Sequence, residues 1–158
     1  MIIMWDTSAL ISLFDHGRPS HDVAKKCYVR FVEADECQFV STIALAEFAL
    51  RNDPRFILKN RYFQVQDFNV NHALKSAAFK RLTLDPKIRD DINKREVIVN
   101  DTQIIGQAHV EQVDYILTED KRTFKRTVDA LRDSNAVTMQ ALLLCEDPLA
   151  AVGYSAGE

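Results

Sequence analysis

Four carboxylates stand where hydropathy patterning predicts burial, which sets them apart from most of the 23 acidic residues that must solvate the surface. Asp6 follows an apolar run at residues 2–5 and heads a stripe of Ala9, Leu10 and Leu13 at i+3, i+4 and i+7. Asp101 heads an equivalent stripe of Ile104, Ile105 and Ala108, and Asp120 heads Phe124, Val128 and Leu131. Glu47 lies inside STIALAEFAL, with Ile43, Ala44 and Leu50 as helical neighbours. Hard carboxylate oxygens without histidine or cysteine partners suit Mg2+ or Mn2+ rather than zinc. Such ions keep bound water, which hydrolysis of a phosphodiester requires.

Each aspartate alone also has a plainer role, because an N-cap or first-turn carboxylate satisfies free N–H groups and the positive end of the helix dipole. That role does not extend to Glu47. A charge on an apolar helix face is costly unless something cationic meets it, and Arg51, one turn on, is the local candidate.

The elements that must position these acids follow from an alternation of short β-like runs with helical periodicity, which argues for parallel strands joined by crossover helices. The runs are residues 2–5, 38–41, 62–68, 115–118 and 136–138. Between them Val23, Cys27, Val29 and Phe31 form one apolar series, and Ala73, Leu74, Ala77, Ala78 and Leu82 another. Ser20 and Asn69 sit where N-caps would open those two helices, and Asp85-Pro86 breaks the chain after Leu84. The polar stretch 85–96 reads as a solvated loop or short helix. In an open parallel sheet the ligand crevice lies beyond the carboxyl ends of the strands. Asp6 and Asp120 would emerge there, and helices carrying Asp101 and Glu47 could aim two more oxygens into it.

Composition bounds the rest. With 158 residues, 47% hydrophobic, the chain reads as one domain over residues 1–150 with a flexible tail at 151–158. A net charge of −3 argues against a simple basic nucleic-acid module, although two divalent ions on four carboxylates would bring the balance to +1. Cys27, Cys37 and Cys145 form no Cys-x-x-Cys pair, so neither a disulfide framework nor a zinc knuckle is expected, and a reducing cytoplasm fits best. The apolar start MIIMWDTSALISLF is interrupted by Asp6 far short of the ~18 residues of a membrane span, so no membrane association is expected.

Taken in order, WDTSAL, TIALAEF, NDTQIIGQA and ILTEDKRTF resemble the four motifs of the PIN-domain ribonucleases, and within them the VapC-type toxins of toxin–antitoxin pairs. Each motif alone is weak, and the four together span residues 2–124. The resemblance implies a three-layer α/β fold with a central parallel sheet of about five strands. It implies a metal site of Asp6, Glu47, Asp101 and Asp120 holding Mg2+ or Mn2+, with Thr7 and Thr118 as polar neighbours that orient ligands or water. It further implies metal-assisted hydrolysis of RNA to a 5′-phosphate and a 3′-hydroxyl, a cognate antitoxin as partner, and possible homodimerisation. Trp5 departs from the aliphatic residue expected in the first motif and reads as a large core residue rather than a base-stacking platform.

Several residues carry two readings. Lys121, Arg122, Lys125 and Arg126 follow Asp120 with Asp129 as the single nearby acid, which is either a solvated helix face or a grip on RNA phosphates. Arg55, Lys59 and Arg61 form a second basic patch. Ser8 reads as an early helix residue rather than a nucleophile, and His16, His21, His72 and His109 need no catalytic role. A haloacid-dehalogenase-like phosphatase would want an aspartate where Ser8 stands, and a response-regulator receiver would want paired acids where Asp6 stands alone. A housekeeping RNA-processing nuclease and a catalytically silent PIN-like scaffold for RNA or protein remain the alternatives to a toxin.

Overall fold

The computed structural model describes residues 1–84 and 99–154. The polar stretch 85–96 and the last four residues lie outside them. The chain runs β1 (Ile2–Trp5), α1 (Thr7–Phe14), α2 (His21–Glu33), β2 (Cys37–Ser41), α3 (Thr42–Ala49), α4 (Arg55–Leu58), β3 (Phe63–Gln66) and α5 (Val70–Thr83). After the gap follow α6 (Val99–Val110), β4 (Tyr115–Thr118), α7 (Phe124–Asp133), β5 (Gln140–Leu143) and α8 (Pro148–Ala151).

The five strands form one sheet in the order β3-β2-β1-β4-β5, with every adjacent pair parallel. Ile3, Met4, Val40, Ile116 and Leu117 are fully buried, as strands covered on both faces require. Right-handed crossovers in this order place the helices after β1 and β2 on one face and those leading to β4 and β5 on the other. The chain runs outward from β1 to β3, then returns to β1's other side to form β4. The strand order therefore reverses at the β1/β4 boundary, where crevices open in sheets of this kind.

Local sequence explains much of this. Asn69 caps α5, its side chain accepting from the N–H groups of Asn71 and His72 while the His72 ring accepts from the Asn69 N–H. Ser20 precedes α2 as expected but makes no side-chain cap. Trp5 is fully buried, its indole N–H donating to Gln38 Oε1 at 3.1 Å and its ring set edgewise against Tyr28 and Phe63. The three cysteines are free thiols.

Two strand expectations are corrected. The fifth strand is Gln140–Leu143, not residues 136–138. Asn135 takes a left-handed turn after α7, and residues 136–139 carry the chain back until Gln140 N–H meets Asp114 O. The strand's Ala-Leu-Leu lacks β-branched residues, so pairing with β4 and burial make it a strand against local propensity. The third strand is shorter than 62–68, because Phe68 N–H bonds Thr42 Oγ1 and leads into the Asn69 cap.

The buried face of α5 is His72, Ser76, Phe79 and Thr83, while Leu74 of the expected apolar series is 67% exposed. The cause is α6. A Cβ on Gly106 would lie 2.2 Å from Ser76 Oγ and 2.8 Å from its backbone nitrogen, so the helices meet through small residues. His72 Nε2 then donates to Glu111 Oε1 at 2.8 Å, since its Nδ1 already accepts from Asn69. In α2, Val29 likewise faces outward, and Ala24 joins Cys27 and Phe31 inside. At Gly153 and Tyr154, expected in the free tail, the Tyr154 hydroxyl donates to Glu36 Oε1 at 2.6 Å.

Candidate active site

Asp6 is the residue between the end of β1 and the start of α1, and its N–H bonds Leu117 O of β4 at 3.0 Å, fixing it at the β1/β4 boundary. It occupies the N-cap position of α1, but its side chain makes no capping bond. Instead the carboxylate accepts from Ser8 Oγ at 2.8 Å and Thr118 Oγ1 at 2.9 Å. Thr118 ends β4, and its hydroxyl also accepts from the Asp120 N–H at 3.0 Å. Ser8 Oγ accepts from the Glu119 N–H at 2.8 Å, tying the loop after β4 to α1.

Asp120 is neither the N-cap nor a first-turn residue of α7, whose N-cap position is Thr123, but it satisfies N–H groups of the turn that leads into the helix. Its Oδ1 accepts from the N–H groups of Arg122 and Thr123, both at 2.9 Å, and its Oδ2 accepts from the Thr123 hydroxyl. Burial pushes its carboxyl up, but these bonds outweigh it and hold the group below the ordinary aspartate value.

Asp101 sits in the first turn of α6, two residues inside the helix, so it is no N-cap. Its Oδ2 is sealed from solvent without a hydrogen-bond partner among the described residues. Burial raises its carboxyl, with further pushes from Asp6, Asp120 and Glu47, to about 8. Those pushes come from the other three acids, and a Thr123 hydrogen bond opposes them. Asp6 is also raised, first by burial, with Glu47 adding to it against the bonds from Ser8 and Thr118.

Glu47 projects from the last turn of α3. Its carboxylate accepts from the Thr7 hydroxyl and, at Oε1, from Asn100 Nδ2 at 2.6 Å. No ion pair with Arg51 forms among the described residues. Sequence reasoning missed the bonding roles of Ser8, Asn100 and Thr123. The available signal was a short hydroxyl or amide within three residues of each aspartate.

As the side chains stand, no three Asp, Glu, His or Cys groups among the described residues are drawn together closely enough to hold a metal ion. Three of the acids, Asp6, Glu47 and Asp120, accept from hydroxyl or amide donors. The donor set nevertheless fits a hard divalent ion: it is all oxygen, strongly anionic, and contains one sealed carboxylate oxygen with no hydrogen-bond partner among the described residues.

The basic run divides. Lys121 and Arg122 are exposed in the turn before α7, and Arg126 is exposed on the helix, whereas Lys125 Nζ pairs with Asp129 at 2.9 Å. Arg55, from the second patch, is held by Asp53.

A family model, the PIN domain, matches residues 3–130. The chain belongs to the PIN-domain family. Its motifs and its reversed parallel sheet accord with that membership. Among solved structures, VapC20 of Mycobacterium tuberculosis, described as a toxin that cleaves the sarcin–ricin loop, aligns with TM-score 0.56 at 16% identity, over 87% of this chain and 98% of that one. VapBC2 of Rickettsia felis, bound to a promoter DNA fragment, aligns with TM-score 0.60 at 14% identity, over 90% and 98%. DNA-bound VapBC of Salmonella typhimurium aligns with TM-score 0.56 at 15% identity, over 92% and 99%. At these identities the likeness is one of fold. No curated protein matches the sequence.

No helix among the described residues is long and apolar enough to cross a membrane.

Proposed function

We propose that this PIN domain is a divalent-metal-dependent endoribonuclease, the toxin of a toxin–antitoxin pair. The observation that carries the reading is the half-buried Asp101, whose Oδ2 is sealed from solvent without a hydrogen-bond partner among the described residues and whose carboxyl is pushed up by three more acids. A fold has no structural use for such a cluster, because each buried like charge raises the cost of the others. A cation from outside the chain removes that cost.

In this reading Asp6, Glu47, Asp101 and Asp120 hold Mg2+ or Mn2+. When bound, the ion polarises a phosphate oxygen and lowers the pKa of water. Thr118 and Ser8 orient Asp6, and Thr7 orients Glu47, so each carboxylate keeps its charge while losing rotational freedom. Lys121, Arg122 and Arg126 draw RNA phosphates toward an edge that would otherwise repel them, with Lys125 in a weaker part because Asp129 already engages it. A cognate antitoxin is the proposed protein partner, supported by the toxin–antitoxin assemblies of similar fold. The site needs no side-chain base, which agrees with His72 being committed to Asn69 and Glu111.

The test is cleavage of single-stranded RNA with Mg2+, with Mn2+ and with EDTA, comparing wild type and Asp101→Asn. Cleavage only with a divalent ion and only in wild type is the expected result. Undiminished cleavage by rigorously chelated protein would overturn the proposal.

A further inference from the structure

Glu47 is the least constrained of the four acids by the backbone. It projects from the last turn of a helix rather than from a strand end, and several torsions separate its carboxylate from the main chain. Two neutral donors hold it instead: the Thr7 hydroxyl on Oε2 and Asn100 Nδ2 on Oε1 at 2.6 Å. Thr7 directly follows Asp6, and Asn100 directly precedes Asp101. Thus α1 and α6 each grip Glu47 with the residue next to their own aspartate. Neither donor is charged, so the carboxylate is aimed without being neutralised. Arg51, which could have neutralised it, is exposed and makes no ion pair with it among the described residues.

We propose that Asn100 is a positioning residue that fixes the Glu47 carboxylate relative to Asp6 and Asp101, and thereby sets the affinity of the site for its divalent ion. This rests on the metal-dependent reading above. Partners that orient a ligand typically change metal affinity by roughly 10–100-fold when removed. Asn100 should lie at the lower end, because Thr7 still holds the other oxygen.

The experiment is Mn2+ binding to the full chain by titration calorimetry, without RNA, for wild type, Asn100→Ala, Asn100→Leu, Glu47→Gln and the double variant Asn100→Ala/Glu47→Gln. Asn100→Ala should weaken Mn2+ binding by about 10-fold. In the Glu47→Gln background the same change should add nothing further, because Asn100 acts through the Glu47 carboxylate. Asn100→Leu keeps the branched side-chain skeleton without its donor and should show the same loss, and it serves if Asn100→Ala does not fold. Unchanged Mn2+ affinity with a lowered melting temperature would make Asn100 merely structural and overturn the inference. An equal loss in the Glu47→Gln background would also overturn it. Folded wild type that binds no Mn2+ would overturn the metal-dependent reading and this inference together, whereas normal binding by wild type and Asn100→Ala alike would overturn this one alone.

Discussion

The two edges of the sheet carry carboxylates in opposite electrostatic condition. At the amino edge, Glu36 lies 2.6 Å from the Met1 amino group and also accepts from Tyr154, and Asp114 accepts from the Ile2 N–H at 2.8 Å. Burial pushes the Glu36 carboxyl up, yet these bonds and the Met1 charge outweigh it and hold the group below its ordinary value. At the carboxyl edge, Asp6 and Asp101 are raised, and no cation of the described residues pairs with them. Acids that serve the fold find their donors or counter-charges within the chain. At the carboxyl edge Asp101 Oδ2 has no such partner among the described residues. A cavity of about 620 Å³ lined by His109, Asp114, Tyr115 and Gln140 lies at the amino ends of β4 and β5.

The comparison breaks most directly by exchanging mutations between the edges. Asp101→Asn should lower RNA cleavage by at least about 100-fold, through loss of a metal ligand and its charge. It should leave the metal-free melting temperature unchanged or raise it by roughly 2–4 °C for each kcal/mol of relieved repulsion. Asp114→Ala should do the reverse, with near-normal turnover and a stability loss of about 0.5–1 kcal/mol from the lost, solvent-exposed bond to the Ile2 N–H. Thermal melts and single-turnover cleavage on both variants decide it. A larger activity loss in Asp114→Ala would end the distinction.

A smaller effect should appear in pH dependence. Asp101 is raised from 3.8 to about 8, so the folded state holds a proton that the unfolded chain gives up. Its contribution to stability is complete below 3.8 and is lost as pH rises toward about 8. Glu36 has the opposite sign: its contribution is present at neutral pH and is lost as acid protonates it. Metal-free protein should therefore lose melting temperature between about pH 5 and 8, and saturating Mg2+ should remove that slope by favouring the ionised acids. A flat metal-free profile in that range would contradict the raised Asp101.

The smallest expected effects concern the basic residues beside the site. Lys121→Gln with Arg122→Gln should reduce the slope of log K against log salt for single-stranded RNA by about 1.4, at roughly 0.7 per phosphate contact. Binding is measured in Ca2+ to suppress cleavage. Lys125→Gln should change the slope by less than about 0.7, because Asp129 already holds the ammonium. Equal slopes for all variants would return this turn to an ordinary solvated surface.

Much of the molecule was legible from residue order alone. The apolar runs at residues 2–5 and 115–118 are β1 and β4 without change, because a strand buried on both faces needs a continuous apolar segment. Asn69 announced its helix through a cap whose bonds are local. The four acids were visible as charges on apolar patterns, and their order along the chain carried the family resemblance. What was not legible depended on partners distant in sequence. Gln140–Leu143 is a strand only because β4 lies beside it, and α5 turns Leu74 outward only because Gly106 admits Ser76.

The acids divide in the same way. Asp120 can be understood locally, since its bonds come from the next three residues. The condition of Asp101 and Glu47 could not be read locally, because it is set by residues dozens of positions away that meet only once the sheet reverses at β1 and β4. Residue type and short-range spacing thus determined which side chains carry the charge. The tertiary structure alone decided which charges share a space, because repulsion and burial depend on distance through the folded molecule, not along the chain.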